Sequence, residues 1–194
     1  MTNKPTIEIL IKNCYKDIQH VKQVSKYSEM LFDTLNNKMF SYTEKEKKYL
    51  KVAALLHDIG YCIEKKSHHK HSMNMILENG LSEFDEKETQ IIANIARYHR
   101  NSFPDETKHE NYANLDEDSK VIVKKLSALL RIADGMDKPS KNLILDVKAN
   151  ISEETVDFYV KTIGYQPKLK MAIEKSNLFE FVFQKKVNFL IANK

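Results

Sequence analysis

The stretch Val52-Ala-Ala-Leu-Leu-His-Asp-Ile-Gly60 constrains this chain more than any other. Five apolar residues run straight into the adjacent pair His57-Asp58, and Gly60 follows two positions later. Lys51 to Leu56 reads as the last turns of a buried helix, with Gly60 as its stop signal. An imidazole and a carboxylate thus reach the end of an apolar helix, where an uncompensated charge is costly. A metal ion is the chemistry that tolerates both groups there. Imidazole suits transition metals, and a carboxylate neutralises charge or bridges two ions. A His-Asp pair is common by chance, so its weight depends on which other residues join it.

The 194 residues leave room for one sizeable domain, or one domain with a small appendage. Four glycines and four prolines are few, which favours helices over a turn-rich sandwich. The net charge of +4 comes from 31 basic and 27 acidic residues, well mixed along the chain. That is a solvated surface more than a nucleic-acid footprint, although a local anion site fits it. Two cysteines, Cys14 and Cys62, make no disulfide framework and suit a reducing cytosol. No apolar run approaches the roughly 20 residues that span a bilayer. Lys4, Pro5 and Glu8 interrupt any signal-peptide core. The expectation is a soluble, cytoplasmic protein with no membrane partner.

Taken in order, Thr6 to Asn13 reads as a short helix and about Asp17 to Asn36 as a long amphipathic one. On the latter His20, Val24, Tyr27, Leu31 and Leu35 share one stripe. Thr43 and Glu46 match a capping box that opens the helix ending at His57. A polar loop then carries His68-His-Lys-His71, before a short helix from Ser72 to Glu78 closed by Asn79-Gly80. Asp85 starts a helix on which Ile91, Ile95 and His99 follow at four-residue steps. Residues 101–116 read as a polar loop. Glu117 to Ala133 is helical again, with Val123, Leu126, Leu130 and Asp134 on one face, and Asp134-Gly135 ends it.

Beyond Pro139 the period changes to two. Leu143, Leu145, Val147 and Ala149 alternate with polar neighbours, as do Val156, Phe158, Val160 and Thr162, with a turn at Ser152-Glu-Glu154. Two short helices follow, and a last strand around Val187 to Ile191. The predicted class is α+β, mainly α: a helical metal-binding part over 1–139 and a small β-β-α-α-β lobe over 140–194 packed on it.

Four helices therefore each bring a ligand-type residue to the margin of an apolar face: His20, His57-Asp58, His99 and Asp134. Singly, each has a plain structural account, but the placement recurs. Its order resembles the HD-domain metal-dependent phosphohydrolases, which are helical bundles. That resemblance implies His20, His57, Asp58 and Asp134 as ligands of a first divalent transition metal. Its dinuclear branches, HD-GYP among them, imply two further histidines, here His68 and His99, with Asp58 bridging the ions. His69 or His71 could replace His68, but His68 stands four before Ser72, where the family often has a small residue.

The strings LLHDIGYCIEKKSHHKHSMNMI, IARYHR, LSALLRIADGMDK and SNLFEFVFQKKVNF look more closely like one region of a known family. This is the C-terminal HD-type region of the exopolyphosphatase/guanosine-pentaphosphate phosphatase family. There, phosphate-chain hydrolysis belongs to an actin-like half with glycine-rich loops. The four glycines here form no phosphate-cradling cluster, so exopolyphosphatase activity is not carried over.

Of the cations Lys65, Lys66, Lys70, Arg97, Arg100, Arg131 and Lys138, Arg100 and Lys138 stand nearest to predicted ligands. They are the expected phosphate contacts, beside a catalytic Asp58. The rest read as solvated surface cations. The implied reaction is metal-assisted hydrolysis of a nucleotide or other small phosphoester or phosphoanhydride, with one or two ions of Mn, Fe, Ni, Co or Zn. The competing expectation is a non-catalytic sensor or partner module that binds metal and nucleotide or polyphosphate. A homo-oligomer is left open, and nucleic acid is not an expected partner.

Overall fold

The computed structural model of the chain describes residues 4–15, 18–100, 102–137, 143–163 and 169–192. Seven helices come first: α1 (Ile7–Cys14), α2 (Gln19–Leu35), α3 (Glu44–Leu56), α4 (His68–Asn79), α5 (Glu86–Arg97), α6 (Glu110–Ala113) and α7 (Glu117–Met136). A short 3-10 turn over Ile59–Cys62 joins α3 to α4. Then follow strands β1 (Ile144–Ile151) and β2 (Thr155–Thr162), helices α8 (Lys170–Lys175) and α9 (Asn177–Phe183), and strand β3 (Lys186–Ile191). The class is α+β and mainly helical, with the sheet at the C-terminal end.

Local chemistry accounts for the helix starts. Thr43 and Glu46 close a capping box at α3, and Asp85 and Glu88 close another at α5. Asp116 caps α7 by accepting from the backbone N–H of Ser119 at 3.0 Å. The apolar stripes then decide the packing. Val24, Tyr27, Leu31 and Leu35 of α2 are buried, as are Leu50, Val52, Ala53, Ala54 and Leu56 of α3 and Val123, Leu126 and Leu130 of α7. Helix α2 lies against α3 and α7, and α5 against α3, α4 and α7, so the ends of α3 and α5 sit over one shared core. Burial of each such leucine stabilises the fold by about 1.5–3 kcal/mol. The functional residues at those ends therefore stand on a rigid floor.

Two glycines play a different part from the one expected. Gly60 lies within the 3-10 turn, and a Cβ there would stand 2.2 Å from the His68 carbonyl oxygen and 2.6 Å from Ser72 N. It lets the start of α4 pass directly over the end of α3. Gly135 does not end α7, which runs on to Met136; a Cβ there would meet Ala172 Cα of α8 at 2.6 Å. Neither is a helix stop. Gly80, with φ 67°, does close α4.

Helix α4 also begins earlier than its apolar residues suggested. His68, Ser72 and Ile76, at four-residue steps, are all buried, so His68 sits on the inner face of the first turn and not on a loop. Likewise the stretch expected to be a polar loop before α7 contains α6, which buries Tyr112.

The sheet has the order β1-β2-β3, with β1 and β2 antiparallel and β2 and β3 parallel. Helices α8 and α9 form the crossover that the parallel pair requires. A register shift between Ile144 and Asp146 turns Ile144 inward and leaves Leu145 exposed, so the simple alternation read for β1 breaks there. Strand β1 lies on α2, where Ala149 N donates to Thr34 Oγ1 at 2.8 Å, while α8 and α9 lie on α7. Among the described residues no helix is long and apolar enough to cross a membrane.

Candidate metal centre

The carboxylate of Asp58 stands between two pairs of histidines. Its Oδ2 faces His20 Nε2 at 3.7 Å and His57 Nε2 at 3.4 Å. Its Oδ1 faces His68 Nε2 at 3.1 Å and His99 Nε2 at 3.5 Å. Asp134 Oδ1 lies 3.4 Å from His20 Nε2. Ligand atoms bound at about 2.1 Å to one ion sit roughly 3.0–3.5 Å apart, so this spacing is the one a metal centre needs. Three overlapping triads can each hold an ion: His20, His57, Asp58; His57, His99, Asp134; and Asp58, His68, His99. All six of the ligand-type residues expected from the sequence are thus brought together.

The outer nitrogens of the imidazoles are fixed in a common way. Nδ1 of His57, His68 and His99 each lies 2.7 Å from a backbone carbonyl three residues earlier, those of Ala54, Lys65 and Ala96. A carbonyl only accepts, so Nδ1 carries the hydrogen and Nε2 turns a lone pair inward. His20 is held by Asp137, whose Oδ2 is 2.7 Å from Nδ1. His68 Nε2 and His99 Nε2 then face each other at 3.0 Å beside Asp58 Oδ1, the spacing of two ligand atoms on one ion. The three histidines at the start of α4 separate clearly. His71 faces Glu64 at 3.6 Å, and His69 is buried with its ring centroid 6.3 Å from that of His99, so only His68 of the three reaches Asp58.

The electrostatics make the same demand. Burial holds His57 below its ordinary pKa, against the pull of Asp58 and Asp134. His99 is held well below by burial and then by His57. For Asp58 burial works upward, yet the surrounding His57, His68 and His99 bring it below the usual carboxylate range. Asp134 also stays low against burial, through His20, Lys175 and His57. These demands conflict. Ionised carboxylates want positive neighbours, while burial disfavours protons on His57 and His99. A divalent cation among them meets both, so the donor set fits a metal.

The centre opens into a cleft of about 450 Å³ lined by Asp58, Tyr61, His68, Arg100, Asp134 and Lys175, among others. A cleft of about 480 Å³ around Gly80 and Asn114 lies elsewhere and has no histidines on its walls. Arg100, expected at the phosphate, does line the metal-centre cleft. Lys138 lies outside the described residues. Arg131 lines the cleft too, but its guanidinium donates to Tyr98 O (2.8 Å), Ser102 O (3.0 Å) and Asn177 Oδ1 (2.9 Å). It ties α7 to α9 and to the chain after α5. Lys65 and Lys66 are exposed.

The model of the family described as Ppx/GppA phosphatase, domain III matches residues 3–177. The chain belongs to that family. It is thereby related to phosphatases, and the match runs from α1 through α8, across both the helices of the cluster and the β1–β2 hairpin. No curated protein matches the chain.

Several residues of this Ppx/GppA domain III chain serve the centre without a sequence signal. Asp137 orients His20, and Lys175 of α8 pairs with Asp134 from 41 positions away. Tyr15 OH donates to Leu55 O at 3.1 Å and accepts from Asp58 N at 3.2 Å, which pins the backbone carrying the carboxylate. Tyr61 stacks on His68 with centroids 3.9 Å apart. Ser72 shows why a small residue suits its position. Its Oγ donates to His57 O at 2.7 Å and accepts from Gly60 N at 3.0 Å, at the closest approach of α4 to the end of α3. The repeated Asp in Asp134-Gly-Met-Asp137 was the one available hint.

Proposed function

We propose that the chain is a metal-dependent phosphohydrolase of the HD type, acting on a nucleotide or another small phosphoester or phosphoanhydride. The observation that carries this reading is the division of Asp58, with one oxygen toward His20 and His57 and the other toward His68 and His99. His20, His57, Asp134 and one Asp58 oxygen would hold a first ion, and His68, His99 and the other oxygen a second. Bound there, ions such as Mn, Fe, Ni, Co or Zn supply an acidified water and a Lewis acid for the phosphoryl oxygen.

The chain's own groups do the rest. Arg100, at the cleft wall, binds and neutralises phosphoryl oxygens where charge develops. Lys175 pairs with Asp134 in the structure and stands in the same cleft, so it can turn its charge from the carboxylate to a phosphate. Tyr61, stacked on His68, covers one side of the centre and limits the access of water.

A second reading, a metal- and nucleotide-binding sensor or partner module without catalysis, is favoured by one observation: the matched family describes one domain of phosphatases. A phosphate-release screen over nucleotides and small phosphoesters separates the two. Protein loaded with each divalent ion in turn should release phosphate from at least one substrate and stop when a chelator is added. Nucleotide bound by metal-loaded protein, with no phosphate released from any of the panel, would replace the enzyme with the sensor.

A further inference from the structure

Arg97 ends α5 two positions before His99, and it is only 5 % exposed. A guanidinium keeps its charge at physiological pH, so burial without a counter-ion is strongly unfavourable. The Tyr98 ring, 5.4 Å from its guanidinium carbon, gives a cation–π contact, yet among the described residues its buried Nη1 has no hydrogen-bond partner and no carboxylate pairs with it. Three more buried polar atoms near it have none either: His69 Nδ1, Asn94 Oδ1 and His109 Nδ1. Buried polar groups are nearly always paired, so the unpaired Nη1 of Arg97, which can only donate, marks a place for an acceptor; Asn94 Oδ1 only accepts and His69 lies off the cleft, so neither adds to it.

Arg97, Asn94 and His109 line a cleft of about 400 Å³ together with Lys70, Asn74 and Asn111. This cleft shares α4 with the metal-centre cleft but none of its lining residues. Of its other charges, Lys108 is taken by Asp105 at 2.7 Å, and Glu110 is exposed at the border. Arg97 at the base and Lys70 are left to face a ligand. Burial, and then the Arg97 charge, keep His109 below its ordinary pKa, so that imidazole adds a polar atom and no second charge.

We propose that this cleft is a second anion site, which takes a phosphoryl group on the Arg97 guanidinium. The guanidinium fork matches two oxygens of the group. Lys70 and the amides of Asn74 and Asn111 offer donors to the remaining oxygens, more than a planar carboxylate would use. The volume exceeds that of inorganic phosphate, so the group can belong to a larger phosphorylated molecule. The site does not depend on the metal centre being catalytic.

Calorimetric titration of chelator-treated protein with inorganic phosphate, pyrophosphate and ATP tests the proposal and separates the free anion from a phosphorylated ligand. At least one of the three should bind. Arg97→Gln should weaken that binding tenfold or more. Asn74→Asp, an exposed change that sets a negative charge at the rim, should weaken it as well. Arg100→Gln, in the other cleft, should cost clearly less than Arg97→Gln, since the chelator leaves that cleft without a metal ion to hold the anion. In thermal melts Arg97→Gln should raise the midpoint of the ligand-free protein, because an unpaired buried charge is removed, and should erase the ligand-induced rise. Absence of binding by all three anions overturns the proposal. So does an equal loss in Arg100→Gln and Arg97→Gln, or a lower ligand-free midpoint in Arg97→Gln with binding unchanged.

Discussion

The two faces of Asp58 are built on different physics. On the Oδ2 face stand His20, 22 % exposed, and His57, with the second carboxylate of Asp134 close by. On the Oδ1 face stand His68 and His99, each 1 % exposed like His57, with Asp58 the one carboxylate in the triad they share, although His99 also joins His57 and Asp134 in another. The first face would hold a cation mainly through charge. The second would hold one between two buried imidazole nitrogens set face to face at 3.0 Å. The difference implies an order of filling, with the carboxylate-rich face first, since more anionic oxygen favours a divalent ion there.

Substitutions sharpen or break this comparison. Asp58→Ala removes the oxygen from both faces, so it should have the largest effect. Metal content should fall to near zero and phosphate release by about 10³-fold or more, the rate equivalent of about 4 kcal/mol. Metal analysis of the purified variant beside its turnover checks this, and retention of one tightly held ion would show that the faces do not share the carboxylate. His99→Ala should empty the Oδ1 face alone. Calorimetry should then count one ion per chain where the unmodified protein takes two, and loss of both would deny the faces their independence. Asp137→Asn should have the smallest effect, because it keeps an acceptor near His20 Nδ1 and removes only the charge. Affinity on the Oδ2 face should drop about tenfold, the low end of what such supporting groups contribute. Equal weakening of both ions would contradict the assignment of Asp137 to one face.

Much of this arrangement could be read from local patterns. The stripe from His20 to Leu35 and the two capping boxes depend on neighbours three and four residues apart, which a sequence displays directly. His57, Asp58, His99 and Asp134 were legible because each ends an apolar face. What escaped depends on contacts between elements. Lys175 meets Asp134 only because Gly135 lets α8 settle on α7. His68 looked like a loop residue, since its helix face is completed by a serine and buries polar atoms. Arg97 passed for a surface cation, for its own turn of helix shows nothing of the chain that covers it.

The link from His57, His68 and His99 to a carbonyl three residues back would bear on the rate at which an ion held there is exchanged. For His57 and His99 those carbonyls, Ala54 and Ala96, lie in the last turns of α3 and α5. If either turn frays, the ring it steers swings away; while an ion is held, the turn cannot fray. Release of an ion held there and the opening of these helix ends would therefore be one local unfolding event. In a protein that binds metal as proposed, the tempo of exchange would follow how well α3 and α5 stay wound.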